Sequence, residues 1–349
     1  MKFTLKSQLG AFALLFVLFS CEDSGRENPL GAYETGVLIL NEGAFGANDG
    51  EIFHFDPVSG ALKQNVFELE NARPFAGLLE DVVEADGRLY LVANTGKVEI
   101  VNAGDFKSRG AVVGDLDQPR SLEAVEGKLF ISDYGPYDAS YNTPDSYVAV
   151  VTGLDGGTVK KKIAVSNKPE DLYVSGNFVL VAGSEEGKVE LIDARTESVI
   201  LSLDVKGQPV QFFEKGGDLW LYSFDSEKVY FQSFRMDNFA LKSLKEVSLP
   251  SATSRMTIGS GNRIYILTSS GWPEYRDAVA IVNFNDNSVT PTWKTGSGFY
   301  GIGFDPERQE LYVANSKGFQ GNGEFVIYSE QGTELRKMEV GRGPSGFSF

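Results

Sequence analysis

Apolar residues along this chain fall in short runs of four, and one run type recurs seven times. The runs are Val37-Leu38-Ile39-Leu40, Leu89-Tyr90-Leu91-Val92, Leu129-Phe130-Ile131-Ser132, Phe178-Val179-Leu180-Val181, Leu219-Trp220-Leu221-Tyr222, Ile264-Tyr265-Ile266-Leu267 and Leu311-Tyr312-Val313-Ala314. Each is followed by a second run, such as Val98-Glu99-Ile100-Val101 or Val189-Glu190-Leu191-Ile192, and then by a polar turn such as Asp56-Pro57-Val58-Ser59-Gly60, Asp155-Gly156-Gly157 or Asn285-Asp286-Asn287. These turn residues tolerate tight or left-handed backbone, so the pattern predicts hairpins. A further, shorter strand precedes each first run, with Pro119, Pro169 and Pro209 marking three of these starts. No apolar stripe of helical period separates the runs.

Four antiparallel strands in about 45 residues have the length and content of one propeller blade. Seven repeats predict an all-β fold, a seven-bladed β-propeller of four-stranded antiparallel blades. The C-terminal Gly341-Arg342-Gly343-Pro344-Ser345-Gly346-Phe347-Ser348-Phe349 aligns with Gly296-Ser297-Gly298-Phe299-Tyr300-Gly301-Ile302-Gly303-Phe304, which opens the seventh repeat. The first repeat lacks that inner strand. Ser345 to Phe349 is therefore expected to supply it, closing the ring by pairing the C-terminal strand into blade one. Both aligned segments also satisfy G-x-G-x-x-G, but a dinucleotide site needs a helix after the third glycine, and strands are expected here.

The N-terminus reads differently. Lys2 and Lys6 precede an apolar run from Leu9 to Phe19, which with Ser20 makes residues 1–20 a signal peptide. Leu18-Phe19-Ser20-Cys21 resembles a bacterial lipobox, which makes Cys21, the single cysteine, the expected site of lipidation. Residues 21–36 then form a polar, turn-rich tether, and 37–349 the propeller. Glu22-Asp23 is either a solvated linker or an acidic surface-export signal of the kind carried by Bacteroidetes lipoproteins. The expected location is the outer membrane, held by the lipid alone and exposed at the cell surface. A formal net charge of −16 without a basic block makes nucleic acid a poor partner; Lys160-Lys161-Lys162 reads as a solvated strand edge.

His54 is the single histidine and lies inside an apolar run, so histidine-centred zinc or nucleophile chemistry has no basis; no catalytic residue, metal ligand or cofactor is assigned. Asn41, Glu42, Asn94, Asp133 and Asn315 follow first strands. They either turn the chain or resemble the oxygen-rich calcium site of propeller lactonases. Loop length is more informative. Four connections after first strands are long, and they leave from the same face as the joins between blades. These segments carry Phe45, Phe75, Tyr134, Tyr137, Tyr141, Trp272, Tyr275, Tyr300 and Phe319 among glycines and amides, which predicts a ligand-binding surface; the competing reading has the rings packing their own loops.

The strands Leu311-Tyr312-Val313-Ala314-Asn315 and Gly187-Lys188-Val189-Glu190-Leu191-Ile192-Asp193, with Asn41-Glu42-Gly43 near the start, resemble the YncE-like propellers. Together with the lipobox, Asn41-Glu42-Gly43 is similar to the cell-surface lipoproteins of the BtuG type. That resemblance implies capture of a corrinoid such as cobalamin and its transfer to a TonB-dependent outer-membrane transporter, without enzymatic activity. Two other functions stay open: an interaction scaffold without a small ligand, and a calcium-dependent hydrolase.

Overall fold

A computed structural model describes residues 30–349 except Met236 and Trp272; the expected signal peptide, Cys21 and most of the expected tether lie outside the described residues. Seven antiparallel sheets follow one another along the chain, each running from an inner to an outer strand. Blade four is typical: Pro169–Ser175, Phe178–Gly183, Lys188–Asp193 and Ser198–Asp204 in consecutive order. The second and third strands are the buried ones, because each blade packs on two neighbours. Between blades two and three, for instance, Tyr90, Val92 and Ile100 meet Leu122, Leu129 and Ile131. The tyrosine that recurs in the first runs, Tyr90, Tyr265 and Tyr312, is fully buried in each case, and Tyr312 stacks on Phe325 at 5.8 Å. Among the described residues no helix is long and apolar enough to cross a membrane.

The ring closes as the repeat predicts. Pro344–Ser348 is the inner strand of blade one, with Leu38 opposite Ser348, Ile39 opposite Phe347 and Leu40 opposite Gly346. Strands also account for both G-x-G-x-x-G segments. Gly298 has φ +82°, and a side chain on Gly301 would meet the Pro344 carbonyl oxygen at 2.8 Å where blades seven and one converge. These glycines serve turn geometry and close backbone approach, not a phosphate.

Three local features depart from the sequence reading. A helix, Val66–Asn71, follows a two-residue outer strand in blade one and sends Val66 and Phe67 into the core between blades one and two. Gly156-Gly157, read as a plain turn, pairs in parallel with Ala111-Val112 and adds a fifth strand to blade two. The last residues of the expected tether are not free: Tyr33 is buried, its amide bonds the Gly104 carbonyl, and its ring packs edge-on against His54 and Phe106. The contacts available to an aromatic side chain override a polar, turn-rich local composition.

Candidate binding site at the channel mouth

Every inner strand loses register with its neighbour near its start. The breaks lie at Leu79/Asp81, Pro119/Leu122, Pro169/Asp171, Pro209/Gln211, Ala252/Met256, Phe299/Gly301 and, in blade one, opposite Leu40/Asn41. A bulge leaves a residue unpaired and re-aims its side chain. Around the ring this leaves out of the ladder Glu80, Arg120-Ser121, Glu170, Val210, Thr253-Ser254-Arg255, Tyr300 and Ser345. All but Thr253 and Tyr300 line a central cavity of about 490 Å³ to which all seven blades contribute.

The ring is electrostatically lopsided. Arg120 sits between acids on both sides, 2.7 Å from Glu80 and 3.5 Å from Glu170, with its guanidinium 4.9 Å from the Tyr134 ring centre. Tyr134 donates its hydroxyl to Glu170, and Tyr300 donates to Glu42. Burial works against the Arg120 charge, but Glu80 and Glu170 outweigh it and raise its pKa. Burial and the nearby Glu80 raise the Glu42 carboxyl, against the Tyr300 bond and the two arginines. Arg255, across the mouth, stands 5.3 Å from the Tyr300 ring centre and has no carboxylate within salt-bridge distance among the described residues. Farther along the inner strands, burial pushes the Asp171 carboxyl up to about 8 and Glu123 up to about 7, and raises Asp81. Asp81 accepts from Ser121 Oγ at 2.9 Å and Asp171 from the Phe212 amide at 2.7 Å.

The predicted aromatics divide into groups. Phe45, Tyr137, Tyr141 and Tyr275 are exposed. Phe45 and Tyr137 line one 310 Å³ cleft across blades one to three, and Tyr141 lies edge-on to Tyr137 at 6.1 Å. Tyr275 lines a separate 650 Å³ pocket on blade six. Tyr134, Tyr300 and Phe319 are half-buried at the rim, Phe319 edge-on to Tyr300 at 4.9 Å. Phe75 is a correction: it is buried against Phe67 in the core between blades one and two, because the helix preceding it pulls the join inward. Trp272 lies outside the described residues.

The polar set after the first strands mostly turns the chain. Asp133 is fully buried and accepts from the amides of Asp117, Gln118 and Gly135; Asn41 donates to the Glu51 carbonyl and Asn315 to that of Ser297. Asn94 and Glu42 alone reach the ring, through Glu80 and Tyr300. Among the described residues no three His, Cys, Asp or Glu side chains are grouped to hold a metal ion. The sequence reading missed Glu80, Arg120, Glu170 and Arg255. A signal existed: Arg120, Glu170, Val210 and Ser345 each directly follow a proline.

Residues 35–342 match the model of a domain of unknown function, DUF5074. The chain belongs to the DUF5074 family. No curated protein sequence matches this DUF5074 chain significantly. Its fold is similar to a quinonprotein alcohol dehydrogenase-like protein, BT1487, from Bacteroides thetaiotaomicron, at TM-score 0.67 and 16% identity over 91% of this chain and 78% of that one. It is also similar to a putative 6-phosphogluconolactonase from Bacteroides uniformis, at TM-score 0.63 and 12% identity over 89% and 98%. BamB from Moraxella catarrhalis follows at TM-score 0.53 and 12% identity over 91% and 86%. At these identities the likeness shows the propeller fold and nothing about chemistry.

Proposed function

We propose that this DUF5074 protein is a binding protein of the bacterial surface, lipid-anchored through Cys21, that captures a large ligand on the face carrying the channel mouth. The observation that carries the reading is the exposure of Phe45, Tyr137, Tyr141 and Tyr275 on loops of the face where the charged ring lies. Exposed rings on a rigid scaffold give contact area at little ordering cost, and the ring beneath supplies hydrogen bonds and charge. A corrinoid fits this description: a flat macrocycle for the aromatics, and amide side chains for the polar mouth. Delivery to a TonB-dependent outer-membrane transporter would follow from such capture. The Ser-His-Asp and zinc arrangements that serve many hydrolases have no residues to build on, which favours binding over catalysis.

Calorimetry and visible spectroscopy with cobalamin test the ligand. Saturable heat and a spectral shift at micromolar concentration are expected; the absence of both removes the corrinoid. Replacing Phe45, Tyr137 and Tyr141 together by alanine is expected to weaken binding by roughly tenfold or more, at about 1 kcal/mol per contact. The melting temperature should stay nearly constant, since these side chains sit outside the blade cores. Calcium-dependent lactone hydrolysis by the same sample would place the enzyme reading first.

A further inference from the structure

The two arginines of the channel mouth occupy unlike surroundings. Arg120 is paired on both sides: Glu80 and Glu170 flank it in the ring and take its two terminal nitrogens, which leaves only its buried Nε without a partner. Arg255 has the ring of Tyr300 on one side and Val210 on the other as its neighbours along the mouth, with Ser254 beside it in sequence. Its guanidinium carries five donors in a fixed fork. No hydrogen bond from that fork to any described residue exists, and no carboxylate stands within 4 Å. Glu42 and Glu80 act on it only through space. The cavity lining contributed by blades six and seven adds apolar surface from Met256 and Ile302.

A partly buried guanidinium keeps its charge when a planar two-oxygen partner meets the fork or when water hydrates it. The cavity, at about 490 Å³, has room for a small organic group as well as water. We infer that Arg255 and the adjoining half of the channel mouth form an acceptor site for a carboxylate-bearing group with an apolar body. The guanidinium bonds the two carboxylate oxygens, Ser254 offers a hydroxyl, and Val210 and Met256 contact the body. The opposite half, where Glu80 and Glu170 outnumber Arg120, repels a second anionic group and so fixes which end of the ligand enters. This site deepens the binding reading and rests on it only for what the rest of the ligand is.

The probe is 4-fluorobenzoate, a carboxylate on an apolar ring, followed by fluorine NMR on the full protein. Saturable binding is expected, with the neutral 4-fluorobenzamide not binding. Arg255→Gln should weaken fluorobenzoate at least tenfold, and Arg255→Lys less, because the charge stays while the fork is lost. Arginine modification by butanedione on the wild-type protein, read by mass spectrometry, keeps the test independent of variant folding: Arg255 should react faster than Arg120 and be protected by fluorobenzoate. No saturable binding, equal binding to Arg255→Gln, or Arg255 reacting no faster than Arg120 and without protection overturns the site. The two readings fail separately: fluorobenzoate binding without cobalamin binding leaves Arg255 in place, and the reverse removes the carboxylate site alone.

Discussion

Glu190 interrupts an apolar strand, yet it is nearly buried and accepts the Ser166 amide at 2.6 Å, tying blade four to the join that precedes it. Gln232 does the same for the Lys206 amide in blade five at 2.8 Å, and Glu99 pairs with Arg73 in blade two at 2.8 Å. The polar residue inside a second run was visible in the sequence, but its partner comes from a distant join, so its purpose was not. Glu190→Ala is expected to cost about 1–3 kcal/mol in denaturant unfolding, because it orphans a buried amide, while Glu190→Gln should cost less. Glu123 gives a pH test. Its folded pKa of about 7 lies above its ordinary value, so the folded state holds the extra proton. Stability is then greater at low pH and falls as pH rises from about 4.5 to about 7, with Asp171 extending the fall to about 8. Glu123→Gln should flatten that part of the curve and stabilise the protein at pH 8 by on the order of 1–2 kcal/mol, with little effect at pH 4.

Strands were legible because apolar residues repeat in short runs bounded by turn residues, and the closing strand because the C-terminus copies the opening of the seventh repeat. The bulges were not legible. A bulge is a relation between two strands, and only the pairing register shows that Glu80, Arg120 and Glu170 drop out of the ladder and face the channel. The helix Val66–Asn71 was missed for a related reason: six residues are too few to show a helical period, and both flanking residues, Asn65 and Ala72, adopt left-handed backbone. The closing strand makes the sharpest element-level prediction. Phe347 packs on Tyr312 and Phe325 at 5.4 and 5.7 Å, so deleting residues 344–349 removes that contact and opens the edge of blade one. Phe347 is half-buried, and its loss comes together with the ladder hydrogen bonds of the whole inner strand, so thermal melting should drop by several degrees or more; a shift of a degree or two would show that the ring holds without it.

At the scale of the whole molecule, the chain enters blade one beneath the ring. Tyr33 fixes it against the Gly104 turn, and Val37–Asn41 then runs toward the loop that carries Phe45. The described chain thus begins on the face opposite the candidate site. Palmitate labelling is expected to depend on Cys21; labelling that survives Cys21→Ser removes the proposed anchor. The ring itself was readable from the repeat, and so was the face bearing the long loops. The carboxylate-and-arginine mouth was not, since its members stand about 45 residues apart and meet only when seven blades close.

That closure joins positions at the two ends of the described chain: Ser345 Oγ approaches the Leu40 carbonyl oxygen across 305 residues. Closing a loop of this length costs more chain entropy than closing a local hairpin, so contacts of such separation are expected to form slowly. A circular permutant that begins at Pro344, with the old C-terminus linked to the old N-terminal side of blade one, would turn this contact into a local hairpin and move the break to the join before it. Such a permutant should refold faster than the natural order at similar stability. In the natural order the edge of blade one at Val37–Asn41 has its partner only in residues 344–348, so a chain truncated before them presents that edge unpaired.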